Sequence, residues 1–312
     1  MKKNKLNLIK LNGGTFYHNN SLEVLKNDQF IKKYKGKIDL IFTSPPFPLL
    51  TPKKYDNKKG EEYIEWFKEF AEPMGNIINK KGSIVIEIGN SWTPKQPTYS
   101  LIELEALLAF KKAGGFHLCQ EFIWHNPAKL PGPTEWVNKY KIRVKDTFTK
   151  IWWLSKTPNP YANQKDILKE YSEGMVKLLR KKKYNAGKRA TGHNISKKGF
   201  YKNNKGAIPA NVFEDPFDNF IRISNTNNVH KYKSYCEKKK LPMHPARMPE
   251  LIPEFFIKFL TKNKYKNKKS IVLDPFAGSN TTGYVASKFK RKWIAIEKNL
   301  DYIEGSKGWF KN

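Results

Sequence analysis

The sequence predicts an α/β fold, because short apolar runs alternate along most of the chain with segments of helical periodicity. Two of these runs end abruptly in loops, SPPF at 44–47 and DPFAGS at 274–279. Open α/β sheets bind their ligands at the carboxyl ends of strands, so both loops are candidate functional loops. The 312 residues suffice for a substantial core in one large domain or two smaller ones.

The first half of the chain carries four predicted strands and two predicted helices. Apolar residues recur at spacings of three and four in 61–78, which predicts a helix. A second helix, over 101–112, ends at the Gly114-Gly115 pair, a common helix stop. Short runs rich in β-branched and aromatic residues predict strands at 38–42, 83–88, 116–124 and 147–154.

Periodicity fades between about 155 and 240, where Lys, Asn, Gly and Pro are frequent. This insert is either a small separate domain or a set of long loops. Regular patterns then return, with helices predicted at 249–260, 281–289 and 301–310 and strands at 270–273 and 292–296. The chain is therefore predicted to form an α/β sheet interrupted by a basic insert.

Charge is the strongest feature of the composition, with 59 Lys and Arg residues against 28 Asp and Glu, a formal net charge of +31. The segment 177–240 alone has 17 basic and 4 acidic residues, a net charge of +13 over 64 positions. Such an excess favours a polyanionic partner, because neutralising phosphates releases counterions. Aromatic residues interleave with these cations, which favours nucleic acid over a merely solubilising surface.

The two cysteines, Cys119 and Cys236, are far apart and form no CxxC pair. A disulfide framework and a thiolate zinc site are therefore not expected, and a reducing cytoplasm is. The N-terminal MKKNKLNLIK lacks the apolar core of a signal peptide, and no apolar run approaches a membrane-spanning length. We expect a cytoplasmic protein with no membrane partner.

The segment 271–286, IVLDPFAGSNTTGYVA, has the pattern of a strand, a tight turn and a helix. Asp274 stands at the predicted strand end, and Gly278 lets the backbone approach a ligand closely. Glu297 ends the next predicted strand 19 residues after Gly278, the spacing typical of an acid that grips ribose hydroxyls. Because the loop is not GxGxxG, a nucleoside cofactor is favoured over a dinucleotide.

Together, SPPF and DPFAGS resemble the catalytic and cofactor motifs of amino-group DNA methyltransferases, which use S-adenosylmethionine. Their order here is similar to the permuted beta class of that family, with the catalytic motif first, target recognition in the middle and the cofactor motif last. Three more segments resemble the family: HPA from 244, DTFTKIWWLSK from 146 and FYHNNSLEVLK from 16. The cytosine-N4 enzymes of restriction-modification systems are the most similar type.

The resemblance implies a seven-stranded, mostly parallel sheet with one antiparallel strand, helices on both faces and a small basic target-recognition region. It divides the chain into a catalytic half at 1–154, a recognition region at 155–240 and a cofactor-binding half at 241–312. It assigns the cofactor pocket to Asn20, Asp274, Phe276, Ala277, Gly278, Ser279, Asn280, Thr281 and Glu297. The family often has an acid where Asn20 stands and a glycine where Asn280 stands, although asparagine tolerates the positive φ of such a turn.

The SPPF loop suits methylation of an exocyclic amine, whose lone pair is delocalised into the base. Acceptors aimed at the two amino hydrogens let the nitrogen rehybridise. The Ser44 hydroxyl is one such acceptor, and the carbonyl of Pro45 is the other, because the rigid Pro45-Pro46 turn fixes its direction. The ring of Phe47 can stack on a base flipped out of the duplex. This chemistry needs neither a metal nor a covalent intermediate.

Several targets remain open from the sequence. Carbon-5 methylation of cytosine needs a nucleophilic cysteine, and neither cysteine follows a proline as it does in those enzymes. Serine at position 44 resembles the cytosine-N4 enzymes, whereas aspartate there is usual for adenine-N6, which stays the alternative. An RNA amino-methyltransferase and a non-catalytic nucleic-acid-binding protein are two further hypotheses.

The basic insert is the expected place for phosphate and base contacts, above all in 180–211. The candidate DNA-binding residues are Arg180, Lys181, Lys182, Arg189, Lys197, Lys202 and Arg222. The resemblance implies duplex DNA as the partner in a prokaryotic cytoplasm. It also implies a functionally paired restriction endonuclease that forms no stable complex with this chain.

Overall fold

A computed structural model gives the fold, and it describes residues 6–48, 58–89, 91–126, 129–197, 199, 202–213, 230–262 and 269–311. The chain forms two compact units, Met1–Ala162 with Asn211–Asn312, and Asn163–Ala210. The second unit is shorter than the insert predicted at 155–240. No helix of the described part is long and apolar enough to cross a membrane.

The first unit is built on a nine-stranded sheet. Its strands are β1 Leu8–Leu11, β2 Gly14–His18, β3 Ile38–Thr43, β4 Ile78–Ile88, β5 His117–His125, β6 Phe148–Ser155, β9 Val212–Phe213, β10 Ile271–Asp274 and β11 Lys292–Glu297. They lie in the order β1-β2-β11-β10-β3-β4-β6-β5-β9. Among these described strands, only β1 and β6 run antiparallel to every strand that they pair with, so the sheet is mostly parallel.

The mostly parallel sheet confirms the predicted fold class, but the predicted count of seven strands with one antiparallel is wrong. The additional strands are short edge elements: β1 has four residues and β9 has two. A two-residue strand is too short for sequence periodicity to reveal. In the structure β9 is held by packing, since Phe213 contacts Phe122 and Phe255 with ring centroids 5.8 and 5.0 Å apart.

Ten α-helices lie in the described residues. They are α1 Ser21–Leu25, α2 Asp28–Tyr34, α3 Gly60–Lys68, α4 Ala71–Ile77, α5 Ile102–Gly114, α6 Glu173–Lys181, α7 His230–Lys238, α8 Leu251–Leu260, α9 Thr281–Lys288 and α10 Leu300–Ser306. A π-helical turn spans Glu135–Lys139, and 3-10 turns span Gln164–Asp166 and Lys307–Phe310. The single helix predicted over 61–78 is two helices, and the helix predicted to reach 310 ends as a 3-10 turn.

The central strands are buried on both faces, as parallel strands between two helical layers must be. Ile41 of β3 faces a core shared with Phe67 of α3 and Ile86 of β4. Its neighbour Phe42 points the other way, against Phe256 of α8 at 5.6 Å between ring centroids. Successive side chains of β3 thus pack into opposite helical layers. Packing on both faces fixes the position of the strand end that follows them.

The second unit, 163–210, contains α6 and a small hairpin of β7 Gly187–Lys188 and β8 Asn194–Ile195. Ser172 caps α6 by accepting a hydrogen bond from the backbone N–H of Met175. An isolated bridge joins Lys169 to Ala207 and brings the two ends of the unit together. The unit has 13 basic and 3 acidic residues, a net charge of +10.

Candidate active site

The carboxyl ends of β3 and β10 lie side by side at the centre of the sheet, where the strand order reverses. From β10 the chain passes to β11 on one side, and from β3 it passes to β4 on the other. Such a switch point leaves a crevice outside the strand ends, because the two connections diverge. The SPPF loop follows β3 and the DPFAGS loop follows β10, so the fold brings together two motifs about 230 positions apart.

A direct hydrogen bond joins the two strand ends. The hydroxyl of Thr43 donates to Asp274 Oδ1 at 2.9 Å, and the hydroxyl of Thr282 donates to Oδ2 at 2.7 Å. The backbone N–H of Phe276 also donates to Oδ1, at 3.0 Å. Burial raises the pKa of Asp274 to about 6, against the opposing effect of these three hydrogen bonds. Asp274 therefore fixes the DPFAGS loop relative to β3.

Glu297, at the end of β11, closes the turn from the other side. Its Oε2 accepts the backbone N–H of Gly278, and its Oε1 accepts that of Asn299, both at 2.8 Å. Burial raises the pKa of this carboxyl, and the backbone hydrogen bonds oppose that rise. The backbone N–H of Lys298 is a third donor to this carboxylate, which leaves one lone pair for a hydroxyl donor and suits the ribose role expected for Glu297.

The turn itself depends on two residues with positive φ, Gly278 at 51° and Asn280 at 61°. Asn280 thus adopts the left-handed conformation that the sequence predicts it can tolerate. A side chain on Gly278 would also meet the ring of His244, because a Cβ there would lie 2.8 Å from Nε2. Both positions therefore constrain the DPFAGS loop through backbone geometry.

The N-terminal loop packs against this turn. Asn20 caps α1, since its Oδ1 accepts the backbone N–H of Leu22 at 2.9 Å. The hydroxyl of Ser21 donates to the carbonyl of Pro275, and the backbone N–H of Asn19 donates to the carbonyl of Glu297 at 3.2 Å. These bonds tie the loop after β2 to the loops after β10 and β11.

In the SPPF loop, the hydroxyl of Ser44 hydrogen-bonds to the carboxyl of Glu87 in β4. Glu87 is buried, and burial raises its pKa to about 7, against the opposing effects of the Ser44 hydrogen bond and the Lys129 charge. When Glu87 is ionised it accepts only, so Ser44 must donate to it. The lone pairs of the Ser44 oxygen then remain as acceptors for another donor.

Sequence reasoning missed Glu87, because it sits in the apolar run SIVIEIG that predicts a buried strand. A lone carboxylate in such a run was the available signal, since buried acids require a partner. Trp92 and Lys129 were missed as well, and neither belongs to a recognisable motif.

Phe47 owes its position to Gly89, which follows the end of β4. A Cβ on Gly89 would lie 2.5 Å from the Phe47 ring, so only glycine admits the ring at this place. The hydroxyl of Ser91 donates to the carbonyl of Pro48 and holds the same loop from outside. The SPPF loop is thus fixed at Ser44 by Glu87 and at Phe47 by Gly89.

One cavity of about 950 Å³ joins the two loops. Of the predicted site residues, its lining includes Asn20, Ser44, Pro45, Pro46, Phe47, Asp274, Phe276, Ala277, Gly278, Ser279, Thr281 and Glu297. Asn280 does not line it. Its side chain is buried against Gly283, where a Cβ would lie 2.2 Å from Asn280 Oδ1, so its contribution is to the backbone of the turn.

Comparisons with known proteins agree with this geometry. A family model described as DNA methylase, N6_N4_Mtase, matches residues 38–308. The Type II methyltransferase M.PvuII of Proteus hauseri is 38% identical over 295 residues, which are 94% of this chain and 82% of that protein. The chain belongs to the DNA methylase family. The predicted family membership is therefore confirmed.

This DNA methylase is also similar to a second relative and to a solved structure, which supports the assignment. The Type II methyltransferase M.HpaI of Haemophilus parainfluenzae is 27% identical over 292 residues, covering 92% of this chain and 71% of the relative. Among solved structures, the PvuII DNA methyltransferase described as cytosine-N4-specific is similar with a TM-score of 0.72 and 32% identity. That match covers 96% of this chain and 87% of the solved one.

Six of the seven predicted DNA-binding residues of the methylase lie in its second unit. Arg180 and Lys181 end α6, and Lys182 follows them in a left-handed conformation with φ of 47°. Arg189 leads into the hairpin turn, where its guanidinium donates to the carbonyl of Asn185 at 2.8 Å. Lys197 and Lys202 are exposed, as are the other four. Arg222 lies outside the described residues.

Proposed function

We propose that this chain transfers a methyl group from S-adenosylmethionine to the exocyclic N4 amine of a cytosine flipped out of duplex DNA. The observation that carries the proposal is the cavity that both the SPPF and the DPFAGS loops line. A volume of about 950 Å³ accommodates a nucleoside cofactor and a flipped base together.

The residues around the cofactor loop fit S-adenosylmethionine. Glu297 offers a carboxylate acceptor for a ribose hydroxyl, while the positive-φ turn at Gly278 lets the backbone approach a ligand closely. Phe276 provides an apolar wall, packed against Phe70 at 5.1 Å between ring centroids. When bound, the cofactor supplies an electrophilic methyl group on a sulfonium, and the C–S electron pair stays with sulfur as the N–C bond forms.

Ser44 and Glu87 handle the proton that the amine must lose. Ser44 donates its hydroxyl hydrogen to the ionised Glu87, so its oxygen accepts one amino hydrogen of the base. The Pro45 carbonyl is the proposed second acceptor. As the new bond forms, the amino proton passes to the Ser44 oxygen while the Ser44 proton passes to Glu87. Glu87 does not touch the base. It positions Ser44 and takes the proton that Ser44 releases.

Two observations favour cytosine N4 as the target. Serine rather than aspartate stands first in the SPPF loop, and the similar solved structure is described as cytosine-N4-specific. Adenine N6 remains the second candidate, because the matching family model covers both N6 and N4 methylation by name.

We further propose that this chain belongs to the permuted class of the family and acts in a bacterial restriction-modification system. The second unit is proposed to recognise the target sequence. SPPF precedes DPFAGS in the chain, with the basic segment between them. Two similar relatives are Type II methyltransferases of bacteria. A restriction endonuclease of the same sequence specificity is the expected functional partner, without a stable complex.

The proposed function is tested by incubating the purified protein with methyl-tritiated S-adenosylmethionine and either unmethylated duplex DNA or transcripts. Label is expected in duplex DNA and not in transcripts. Transfer to transcripts alone would assign an RNA methyltransferase. A non-catalytic binder would transfer no label and would show no thermal shift with S-adenosylmethionine.

A further inference from the structure

The connection between β5 and β6 exposes an unusual amount of apolar surface. Leu130 is 82% exposed and Val144 is 85% exposed, and Ile142 and Tyr140 are 60% and 50% exposed. Isolated exposed apolar side chains are normal on a protein surface. Four within one connection, none of them needed by the core, indicate a surface that meets a partner.

The same connection is cationic. Between 129 and 147 it carries five basic residues, Lys129, Lys139, Lys141, Arg143 and Lys145, against the acids Glu135 and Asp146. Cations interleaved with apolar side chains do not match a purely apolar protein interface, whose core is depleted of charge. They do match a nucleic acid, which offers phosphates beside the faces of bases.

This connection also forms a wall of the active-site cavity. Lys129, Gly132, Pro133 and Asp146 line the cavity. The hydroxyl of Tyr99 donates to Asp146 Oδ1 at 2.6 Å, which anchors the connection to the segment after β4. A strand end and a side-chain hydrogen bond thus hold the exposed residues at the rim.

Arg143 anchors the connection a second time, through cation–π contacts to the same segment after β4. Its guanidinium lies 5.0 Å from the ring centroid of Trp92 and 5.5 Å from that of Tyr99. Trp92 itself lines the cavity. Val144 follows Arg143 directly, so its exposed side chain stands next to a residue that is stacked in place.

Base flipping requires protein contacts around the flipped base, and the exposed residues of the β5–β6 connection lie where such contacts are needed. Removing a base from the stack leaves a gap in the duplex, and proteins that distort DNA often fill it with an apolar side chain. We propose that the β5–β6 connection is a duplex-contacting element, in which Leu130 and Val144 enter the gap left by the target base while Lys139 and Lys141 contact flanking phosphates. This inference rests on the proposed function and adds a DNA surface in the first unit to the one predicted in the second.

The apolar part is tested with Leu130→Ser/Val144→Ser, both at positions so exposed that folding should be unaffected. The matched control is Leu108→Ser, an apolar residue of α5 that is 63% exposed and outside the cavity. The DNA for the binding measurement is a short duplex that contains the methylated sequence. That sequence is first determined from the DNA of a host that expresses the protein. Binding to it should weaken about tenfold in the double variant and stay unchanged in the control.

A mismatch at the target base separates gap filling from general damage. A mismatched base costs less to flip, so the deficit of the double variant should shrink to about threefold or less on a mismatched duplex. Affinity for S-adenosylmethionine should equal that of the wild type. An equal loss on matched and mismatched duplexes, or a double variant that behaves like Leu108→Ser, would overturn the assignment of the gap-filling residues.

The cationic part is tested with Lys139→Ala/Lys141→Ala against Lys111→Ala/Lys112→Ala in the last turn of α5. Removal of each phosphate-binding cation should reduce the slope of log affinity against log salt by about one. The slope of the first variant should therefore fall by about two, and that of the control should stay the same. An unchanged slope in the first variant rejects the binding of phosphates by these lysines. Wild-type protein that methylates no DNA would instead refute the proposed function, which keeps the two failures distinguishable.

Discussion

Asp274 links the end of β3 to the start of α9, because its carboxylate accepts hydrogen bonds from Thr43 and from Thr282. Asp274→Ala is expected to weaken S-adenosylmethionine binding at least tenfold, since two buried hydroxyls lose a charged acceptor, worth about 1.5–3 kcal/mol. Isothermal calorimetry measures this directly. Asp301→Ala, an exposed acid in the first turn of α10, is the control. Wild-type affinity in Asp274→Ala would refute this role in the loop.

Ser44 is predicted to act on the chemical step and not on cofactor binding. Ser44→Ala should lower the rate of methyl transfer by about 10²–10³, the cost of losing one preorganised hydrogen-bonding group. Affinity for S-adenosylmethionine should be preserved. Ser287→Ala in α9, outside the cavity, is the matched control. Single-turnover kinetics that match the wild type would remove Ser44 from the mechanism.

Glu87 predicts a pH dependence. Because its pKa is about 7, the fraction able to take the Ser44 proton rises with pH, and methyl transfer should rise through about pH 7. Glu87→Gln should lower the rate and abolish that rise. A Glu87→Gln profile with the same inflection as the wild type would assign the titration to another group.

The same carboxyl predicts an effect on stability. A raised folded-state pKa favours folding below the ordinary pKa of glutamate, near 4, and that contribution is lost as pH rises through about 7. Glu87→Gln avoids the cost of a buried charge, so at about pH 8 its free energy of unfolding should exceed that of the wild type by about 3 kcal/mol. Near pH 4 the two should differ little. Urea unfolding at both pH values tests this, and a less stable variant at pH 8 would contradict it.

Single residues are predictable from the sequence where a motif places them at a strand end. Asp274, Gly278 and Ser44 are of this kind, because their loops interrupt strands with unusual residues. Glu87 is not, because its role comes from the neighbouring strand and depends on the pairing of β3 with β4. A lone carboxylate in an apolar run signals that Glu87 has a buried partner, but a single sequence does not identify Ser44 as that partner.

At the scale of elements, Gly89 after β4 decides where the SPPF loop can lie. Gly89→Ala would place a methyl group 2.5 Å from the Phe47 ring and should displace that ring from the cavity wall. Turnover on DNA should fall by about tenfold or more with cofactor affinity unchanged, since displacement of a positioning group by about 1 Å can cost up to about 10²-fold. Gly75→Ala in α4 is the control, because its methyl would meet Phe116 at an ordinary 3.6 Å. Equal turnover in both variants would contradict the role of Phe47.

Element types are predicted better than element boundaries. The helix predicted over 61–78 is interrupted because Pro73 lacks an N–H and its ring would clash with the preceding turn, so α3 ends at Lys68 and α4 begins at Ala71. The strand predicted to follow Gly82 instead begins at Ile78. Gly82 lies inside β4, where a Cβ would be only 3.0 Å from the backbone of Asp39, so glycine there marks a close approach and not a strand boundary.

At the scale of the whole molecule, the sheet order explains why two distant motifs make one site. Strands β3 and β10 are neighbours only in three dimensions, yet both loops are expected at the carboxyl edge because parallel strands share it. The edge strands β1 and β9 could not be predicted, because pairing at an edge depends on tertiary packing. The limits of the second unit, 163–210, likewise follow from contacts that a weakly periodic, lysine-rich segment does not reveal.

The proposed activity of the whole molecule is the transfer of a methyl group to cytosine N4 in DNA within one cavity. It is measured most simply by mass spectrometry of nucleosides from the DNA of a methylation-free host that expresses the protein, beside a host that expresses Ser44→Ala. We predict N4-methylcytosine with the wild type and little or none with the variant. N6-methyladenine in its place would contradict the assigned base, and DNA without any methylated base would contradict the activity itself.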